Sequence, residues 1–315
     1  MSYASGGLIQ ATDYNELAQT NVGGNIAFVW GTGSNQWGYG QTTTQIATVS
    51  ASGTVTATQW AGLIYTLNKT LAHQGGTQLA SGSNIGVTSG ALIQYFSNVA
   101  TAATTIATNR LSYGSSGSTT TGANFTGTIS FPDSSSTQSS TISRTVTFAS
   151  GNAARYFFNA GGRLILVLTA SNNNGTSRSG DFVTVLQTNV GGSTLFATSS
   201  TPRSGAGGTL NSQNAALGYY SLTTSNQTVV SVNSASATYV YAAGDSVDIR
   251  LRSNGTQGSN DDKGSVITID IITTAQGQVS SNFNDAVNVT LTSRVDIVYP
   301  ETTYLTDTWG TPTIT

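Results

Sequence analysis

The chain carries a single histidine, His73, and no cysteine, which narrows its chemistry at once. A Ser-His-Asp triad would have to use that one imidazole, and no GxSxG turn or comparable nucleophile context accompanies it. In its place at the end of a helical pattern, His73 reads as a side chain at the carbonyl end of a helix. The lack of thiols excludes disulfides, thiolate catalysis and Cys-ligated metals.

Carboxylates are the other candidates, because a glycosidase needs only two acids at a suitable separation. Asp245, Asp248, Asp261, Asp262, Asp270 and Asp296 are the ones to consider. Asp248, Asp270 and Asp296 alternate with apolar residues, the pattern of a wet strand face. Asp261 and Asp262 follow Ser259 and Asn260 and could offer hard oxygens to Ca²⁺, but the DxDxDG spacing is absent. Gly31-Thr32-Gly33 lacks both the third glycine of a dinucleotide fingerprint and the GK[ST] ending of a phosphate loop. No catalytic, cofactor-binding or metal-ligating residue is therefore assigned, and no cofactor is expected.

Aromatic residues carry more information. Trp37 and Tyr39 lie in a glycine-rich stretch, and Tyr219 and Tyr220 follow Gly218. Such rings either stack on sugar faces or anchor contacts between subunits, where Trp and Tyr are enriched. Interface anchoring is the preferred reading for Trp37 and Tyr39 and extends to Trp30, Trp60 and Trp309. Tyr219 and Tyr220 stay open between the two uses and are the candidate glycan contacts.

The elements that must position these residues change character along the chain. Asp13 and Glu16 have the spacing of a helix cap and its reciprocal acid, with Tyr14, Leu17 and Ala18 following, so a short helix is expected over 13–20. Residues 25–31, NIAFVWG, are apolar and rich in β-branched and aromatic residues, a strand signature, and the next eleven or so read as a loop. Trp60, Leu63, Ile64, Leu67 and Leu71 recur at helical steps from Thr56 or Thr58 to Gly75 and Gly76. A second helix follows Gly90, with Leu92, Phe96, Val99, Ala103 and Ile106 in phase up to Asn109 and Arg110. Its many threonines leave packing to supply most of its stability.

Beyond residue 140 the period becomes two. Val247, Ile249 and Leu251 alternate with charged residues, and Ile267, Ile269 and Ile271, and Val287 through Ile297, alternate with threonines and charged residues. RLILVLT at 163–169 does not alternate and is expected to be central and covered on both faces. Clusters at 171–180 and 252–264 read as hairpin loops. The expected fold is mainly β: an N-terminal module with two or three helices, then an antiparallel β-sandwich of jelly-roll-like type. Its divisions are an attachment module at 1–115, a Ser/Thr/Gly-rich connection with an irregular strand at 116–140, a sandwich at 141–300 and an extension at 301–315. The aromatics of that extension favour docking on a neighbour over fraying.

Only 8% of the residues are charged, against roughly 25% in an average soluble chain. Eleven Lys plus Arg against thirteen Asp plus Glu give no basic excess, so nucleic acid is not an expected partner. A net charge of −2 gives little repulsion against self-association. The opening residues lack the basic and apolar regions of an export signal, and the longest apolar run, Leu164 to Leu168, is far short of a membrane span. The expectation is a protein that folds in a cytoplasm and does not insert in membranes.

Three stretches together resemble virion structural proteins of tailed bacteriophages, especially those of cyanophages. They are GGLIQATDYNELA; NIAFVWGTGSNQWGYGQT with TVTATQWAGLIYTLNKTLAHQG; and ARYFFNAGGRLILVLTAS. The resemblance covers about the first 170 residues and implies a tail, neck, baseplate or fibre component located in the virion. It further implies partners among other virion proteins and copies of the chain itself, a trimer being favoured over a dimer; the alternative, a receptor- or carbohydrate-binding module with a host surface glycan as its ligand, comes from the aromatic and amide content of the loops at 218–221 and 172–180. The resemblance brings no catalytic motif.

Overall fold

The computed structural model describes residues 10–19, 26–79, 96–191, 193–196, 212–213, 218–233, 245–255, 263–277 and 286–315. Helix and strand occupy about 30% and 32% of the described residues, so these are mixed, with two antiparallel sheets, in place of the expected mainly-β character. The excess helix comes from segments that read as strand or loop.

Four helices form the N-terminal part: α1 (Ala11–Ala18), α2 (Ile26–Trp30), α3 (Ala57–His73) and α4 (Phe96–Thr108). In α1 the cap falls three residues earlier than expected. Asp13 sits inside the first turn, and its carboxylate accepts from the Gln10 N–H at 3.2 Å. Tyr14, Leu17 and Ala18 are buried as their spacing requires. Segment 26–30 is a helix and not a strand, with all five residues buried; an apolar run this short has no period to separate the two. Helix α3 begins at a reciprocal cap, Gln59 N–H to Thr56 Oγ1 at 3.2 Å and Thr56 N–H to Gln59 Oε1 at 2.9 Å. It ends where Gly75 turns at φ +75°. In α4 the hydroxyls of Thr104, Thr105 and Thr108 donate to carbonyls one turn back, which satisfies them without breaking the helix. No helix among the described residues is long and apolar enough to cross a membrane.

The first sheet centres on the longest strand. β1 (Ser116–Thr120) and β2 (Phe125–Phe131) lie in succession along one side of β10 (Val287–Pro300), and β4 (Arg163–Asn172) and β5 (Ser193–Phe196) follow on the other. Segment 116–140, expected as a connection, thus contributes β1, β2 and the start of β3. Between β1 and β2 the chain steps around β10 at Gly122, whose N–H donates to Asp296 Oδ1 at 3.0 Å. A Cβ there would stand 2.1 Å from the Val295 carbonyl oxygen. The second sheet runs β11 (Thr313–Ile314), β3 (Gln138–Thr147), β9 (Val266–Ala275), β8 (Ser246–Ser253), β7 (Gln227–Asn233) and β6 (Ser212–Gln213).

β4 is central in its sheet, yet only one face is closed. Leu164, Leu166 and Leu168 are buried while Ile165 and Val167 are half-buried. The cluster at 171–180 does not close a hairpin: it leads into α6 (Ser177–Thr184), capped by the Thr176 hydroxyl. Helix α5 (Gly151–Asn159) was not anticipated at all; Ser150 caps it, and eight of its nine residues are buried. One continuous apolar core joins residues of the helices, of α5 and of both sheets.

The C-terminal extension docks on its own chain. Thr313 and Ile314 pair with Thr147 and Val146, and Thr315 exchanges both backbone hydrogen bonds with Thr145. Trp309 is 2% exposed. Trp309→Ala is expected to lower unfolding free energy by about 3–5 kcal/mol, the usual range for emptying a buried Trp site, read from urea denaturation. A loss below about 0.5 kcal/mol, typical of surface positions, would mean the extension is frayed.

Candidate functional site

The stretch from Gly31 to Gln41 folds back over the end of α2. Its N–H groups at Tyr39, Gly40 and Gln41 donate to the carbonyls of Val29, Gly31 and Trp30 at 3.1, 2.8 and 3.1 Å, meeting acceptors that a helix end leaves open. The path needs glycine at Gly38, where φ is +97° and a Cβ would stand 2.5 Å from the Thr32 carbonyl oxygen. Three carbonyls of this loop then point outward, at Trp37, Gly38 and Tyr39, and other elements take hold of them.

Helix α5 holds two. Arg155 Nη1 donates to the Trp37 carbonyl at 2.8 Å, and its Nη2 to Asn152 Oδ1 at 2.9 Å. Asn159 Nδ2 donates to the Gly38 carbonyl at 2.8 Å, while its Oδ1 accepts from the Tyr220 hydroxyl. The extension holds the third through Thr308 Oγ1, 3.0 Å from the Tyr39 carbonyl. Beside it, the Gln41 side-chain amide pairs with the Thr306 backbone, Nε2 donating to its carbonyl and Oε1 accepting from its N–H, both at 2.8 Å.

Inside the loop, the Tyr39 hydroxyl donates to the Arg110 carbonyl and accepts from Gln74 Nε2, both at 2.9 Å. Gln74 also reaches the Ile106 carbonyl at 3.0 Å, so Tyr39 and Gln74 fasten the ends of α3 and α4 together. Burial pushes the Tyr39 hydroxyl well above the usual tyrosine range. The His73 ring meets Tyr39 edge-on at 5.1 Å. Both of its nitrogens are buried without a hydrogen-bond partner. Burial lowers its pKa to about 4, against a smaller opposing pull from Glu301. His73 is therefore a neutral core residue at neutral pH, where the sequence suggested a cation at the helix end.

Outside the loop lies an open concavity of about 540 Å³ between residues 40–44 and the extension, lined by Thr32, Thr42, Thr43, Thr44, Thr306 and Thr308 together with Gly40 and Gln41. It offers hydroxyls and no charged side chain.

The aromatics chosen as subunit anchors are packed within the chain. Trp30, Tyr39, Trp60 and Trp309 are buried. Trp37 is half-buried, with the Arg110 guanidinium 4.5 Å over its ring and Phe28 at 5.6 Å. Trp37 keeps part of its ring accessible, while the four buried rings give their apolar area to the internal core and leave no face for a neighbour. The same holds for the candidate glycan contacts. Tyr219 is fully buried, stacked on Phe158 at 4.6 Å and donating to the Gly264 carbonyl at 3.1 Å, and Tyr220 is 6% exposed beside it. Neither can stack on a sugar.

Four of the candidate carboxylates are engaged with arginines. Asp245 takes Arg178 in a two-point bond, Nε to Oδ2 at 2.9 Å and Nη2 to Oδ1 at 2.7 Å. Asp248 meets Arg250, Asp270 meets Arg252, and Asp296 meets Arg294. Hydroxyls of Ser231 and Ser143 complete Asp248 and Asp270, both at 2.6 Å. Asp261 and Asp262 lie outside the described residues, among which no group of three His, Cys, Asp or Glu could hold a metal. The residues that organise the junction, Gln41, Gln74, Arg155 and Asn159, escaped the sequence reading. Their only signal was polarity inside otherwise apolar helical or loop segments.

Two outcomes follow from this geometry. His73 binds its proton less readily folded than unfolded, so its neutral form adds stability that is complete above about pH 6.5 and is lost as pH falls towards its folded value of about 4. The limit is of order 3 kcal/mol. The difference in urea midpoint between the wild type and His73→Leu should therefore shift against the wild type over that window. A pH-independent difference would exclude the buried neutral ring. Removing residues 1–115 should yield an aggregating product, read by light scattering, because it takes the Trp37 and Gly38 carbonyls away from Arg155 and Asn159; a soluble, cooperatively folding remainder would show the junction to be dispensable. Comparison with family models, with curated proteins and with solved structures finds no match to this chain, so its function is argued from its own residues.

Proposed function

We propose that the chain is a non-enzymatic structural subunit of a tailed-bacteriophage particle, belonging to the tail, neck, baseplate or fibre group. One observation carries the reading: the second and third of the stretches that resemble virion proteins meet at the junction. Trp37 and Gly38 come from the second stretch and Arg155 and Asn159 from the third, and they bond across the junction, while Gln74 and Tyr39 bond within the second. Asn15 of the first stretch holds Val49 through both its amide atoms, at 2.7 and 2.8 Å.

The β part is read as a sandwich of the two sheets. Successive strands β2, β3 and β4, and again β9 and β10, alternate between sheets in jelly-roll fashion, while β7, β8 and β9 form a meander within one. Both outer faces are hydroxyl-rich, and Arg250, Arg252 and Arg294 on them are each neutralised by an adjacent aspartate. Such faces suit close contact with other virion proteins, since little charge has to be desolvated.

The test is gold labelling of purified tailed particles with antibodies raised against the full chain, together with mass spectrometry of the same particles. Label at one fixed position and a constant copy number are expected. Presence in the lysate with absence from the particles overturns the reading. Release of sugar from host polysaccharide by the isolated protein would overturn its non-enzymatic part.

A further inference from the structure

Strand β3 has a free edge over most of its length. On its inner side it pairs with β9 continuously from Gln138 to Thr147 without a shift in register. On its outer side β11 covers only Val146 and Thr147, with Thr315 bonded to Thr145 through both backbone groups. Because Thr145 directs its N–H and C=O outward, the alternation of a regular strand sends those of Ser143, Thr141 and Ser139 the same way. The outward groups of Thr141 and Ser139 and the N–H of Ser143 have no partner among the described residues; the Ser143 carbonyl accepts from Arg144 Nη1 at 2.6 Å. All three residues are exposed.

Free edges are usually blunted by lysine, proline or a bulge. Here the sequence from Gln138 to Ser143, QSSTIS, has neither charge nor proline, and no bulge interrupts it. One end of the window is closed by β11. At the other the chain curls back on itself, with Gln138 Nε2 on the Pro132 carbonyl at 3.1 Å and Thr137 Oγ1 on Gln276 at 3.0 Å. The segment already seated on this edge is an uncharged, threonine-rich extended strand running antiparallel.

We propose that the edge of β3 between Gln138 and Arg144 is a two-fold contact, on which a second copy of this chain adds its own β3 antiparallel with Thr141 on the axis. The window is self-complementary under that operation, as an isologous contact requires. Thr141 meets the partner's Thr141, exchanging both backbone hydrogen bonds, and Ser139 meets the partner's Ser143, whose N–H donates to the Ser139 carbonyl while the Ser143 carbonyl stays with Arg144. Cross-strand hydroxyl pairs are favourable neighbours. The net charge of −2 opposes the approach only weakly. The second sheet would then continue across two molecules. This contact is two-fold, in place of the trimer expected from the resemblance, and it stands whether or not the chain belongs to a particle.

Analytical ultracentrifugation of the full chain should show a species of twice 32.3 kDa. Thr141→Lys and Thr141→Glu each set like charges opposite one another and should weaken dimerisation at least about tenfold, with circular dichroism and melting temperature unchanged because the side chain is exposed. Mixing the two variants should restore a heterodimer. Since the chain has no cysteine, Thr141→Cys adds a clean probe: opposed residues of such a pair lie about 5.5 Å apart at Cα, within disulfide range. Mild oxidation should cross-link it and leave Thr58→Cys, exposed on α3, uncross-linked. A monomer throughout, a trimer, or an assembly indifferent to charge at Thr141 and not rescued by mixing would each overturn the proposal.

Discussion

Arg155 is 1% exposed, and its guanidinium holds the carbonyl of Trp37 and the side chain of Asn152 while lying 5.2 Å from the Tyr156 ring. A cation can occupy such a place only if its donors are met, because a buried charge stripped of a partner costs about 3–5 kcal/mol. The position of α5 and the path of the 31–41 loop are therefore mutually fixed. Asn159, one turn further along the same helix, repeats the constraint at the next carbonyl and passes it on to Tyr220. Through these two side chains α5, the 31–41 loop and the turn at Tyr220 take one relative arrangement. Phe157 and Phe158 supply the apolar side of that helix, packing on Phe148, Tyr299 and Tyr219. Non-directional apolar burial supplies stability there, while the polar contacts set the register.

Helix α3 was legible because a 3.6-residue period, a reciprocal cap and a glycine stop all agree over seventeen residues. The long alternating strands β8, β9 and β10 were legible for the same kind of reason. Helices α2 and α5 were not. Five apolar residues contain no period, and the ring-rich ARYFFN has side chains that favour strands, overridden here by the Ser150 cap and by burial on nearly every side. At the junction, sequence singled out Trp37 and Tyr39 by type and loop context but not where their faces go. Arg155 and Asn159 were invisible because their partners are backbone carbonyls 118 and 121 residues away. A carbonyl carries no identity in the sequence, so a site made by gripping backbone leaves almost no pattern to read.

The sparse charge of the chain has a matching local order. Arg250 and Asp270 are directly opposed across β8 and β9, with Asp248 and Arg252 two positions away on either side of Arg250. The charges on the outer face of the second sheet thus neutralise one another within that face. On the first sheet Thr126 and Thr292 oppose each other, their hydroxyls 3.1 Å apart, with Thr169 next in the row. Hydroxyls bonded across strands stay solvated without presenting a field. The chain meets water through groups whose removal from water costs less than that of ions, a property that makes association cheap without specifying a partner.

Specificity has to come from geometry instead, and the unpaired ring of His73 marks where the fold accepts a cost for it. A buried imidazole without hydrogen bonds forfeits its solvation at both nitrogens. Its neighbours explain why no water-facing alternative is available: the backbone of His73 itself accepts the Gly114 N–H at 2.7 Å, and Tyr39 closes over the ring on the side of the loop. The same Tyr39 carries the hydroxyl that joins α3 to α4 through Gln74 and Arg110. Freeing the imidazole would mean moving Tyr39, which in turn would release the carbonyl held by Thr308 and the neighbouring turn held by Arg155 and Asn159. The cost at His73 is thus the local consequence of fixing the loop, and protonating that ring strains the whole junction and not one side chain.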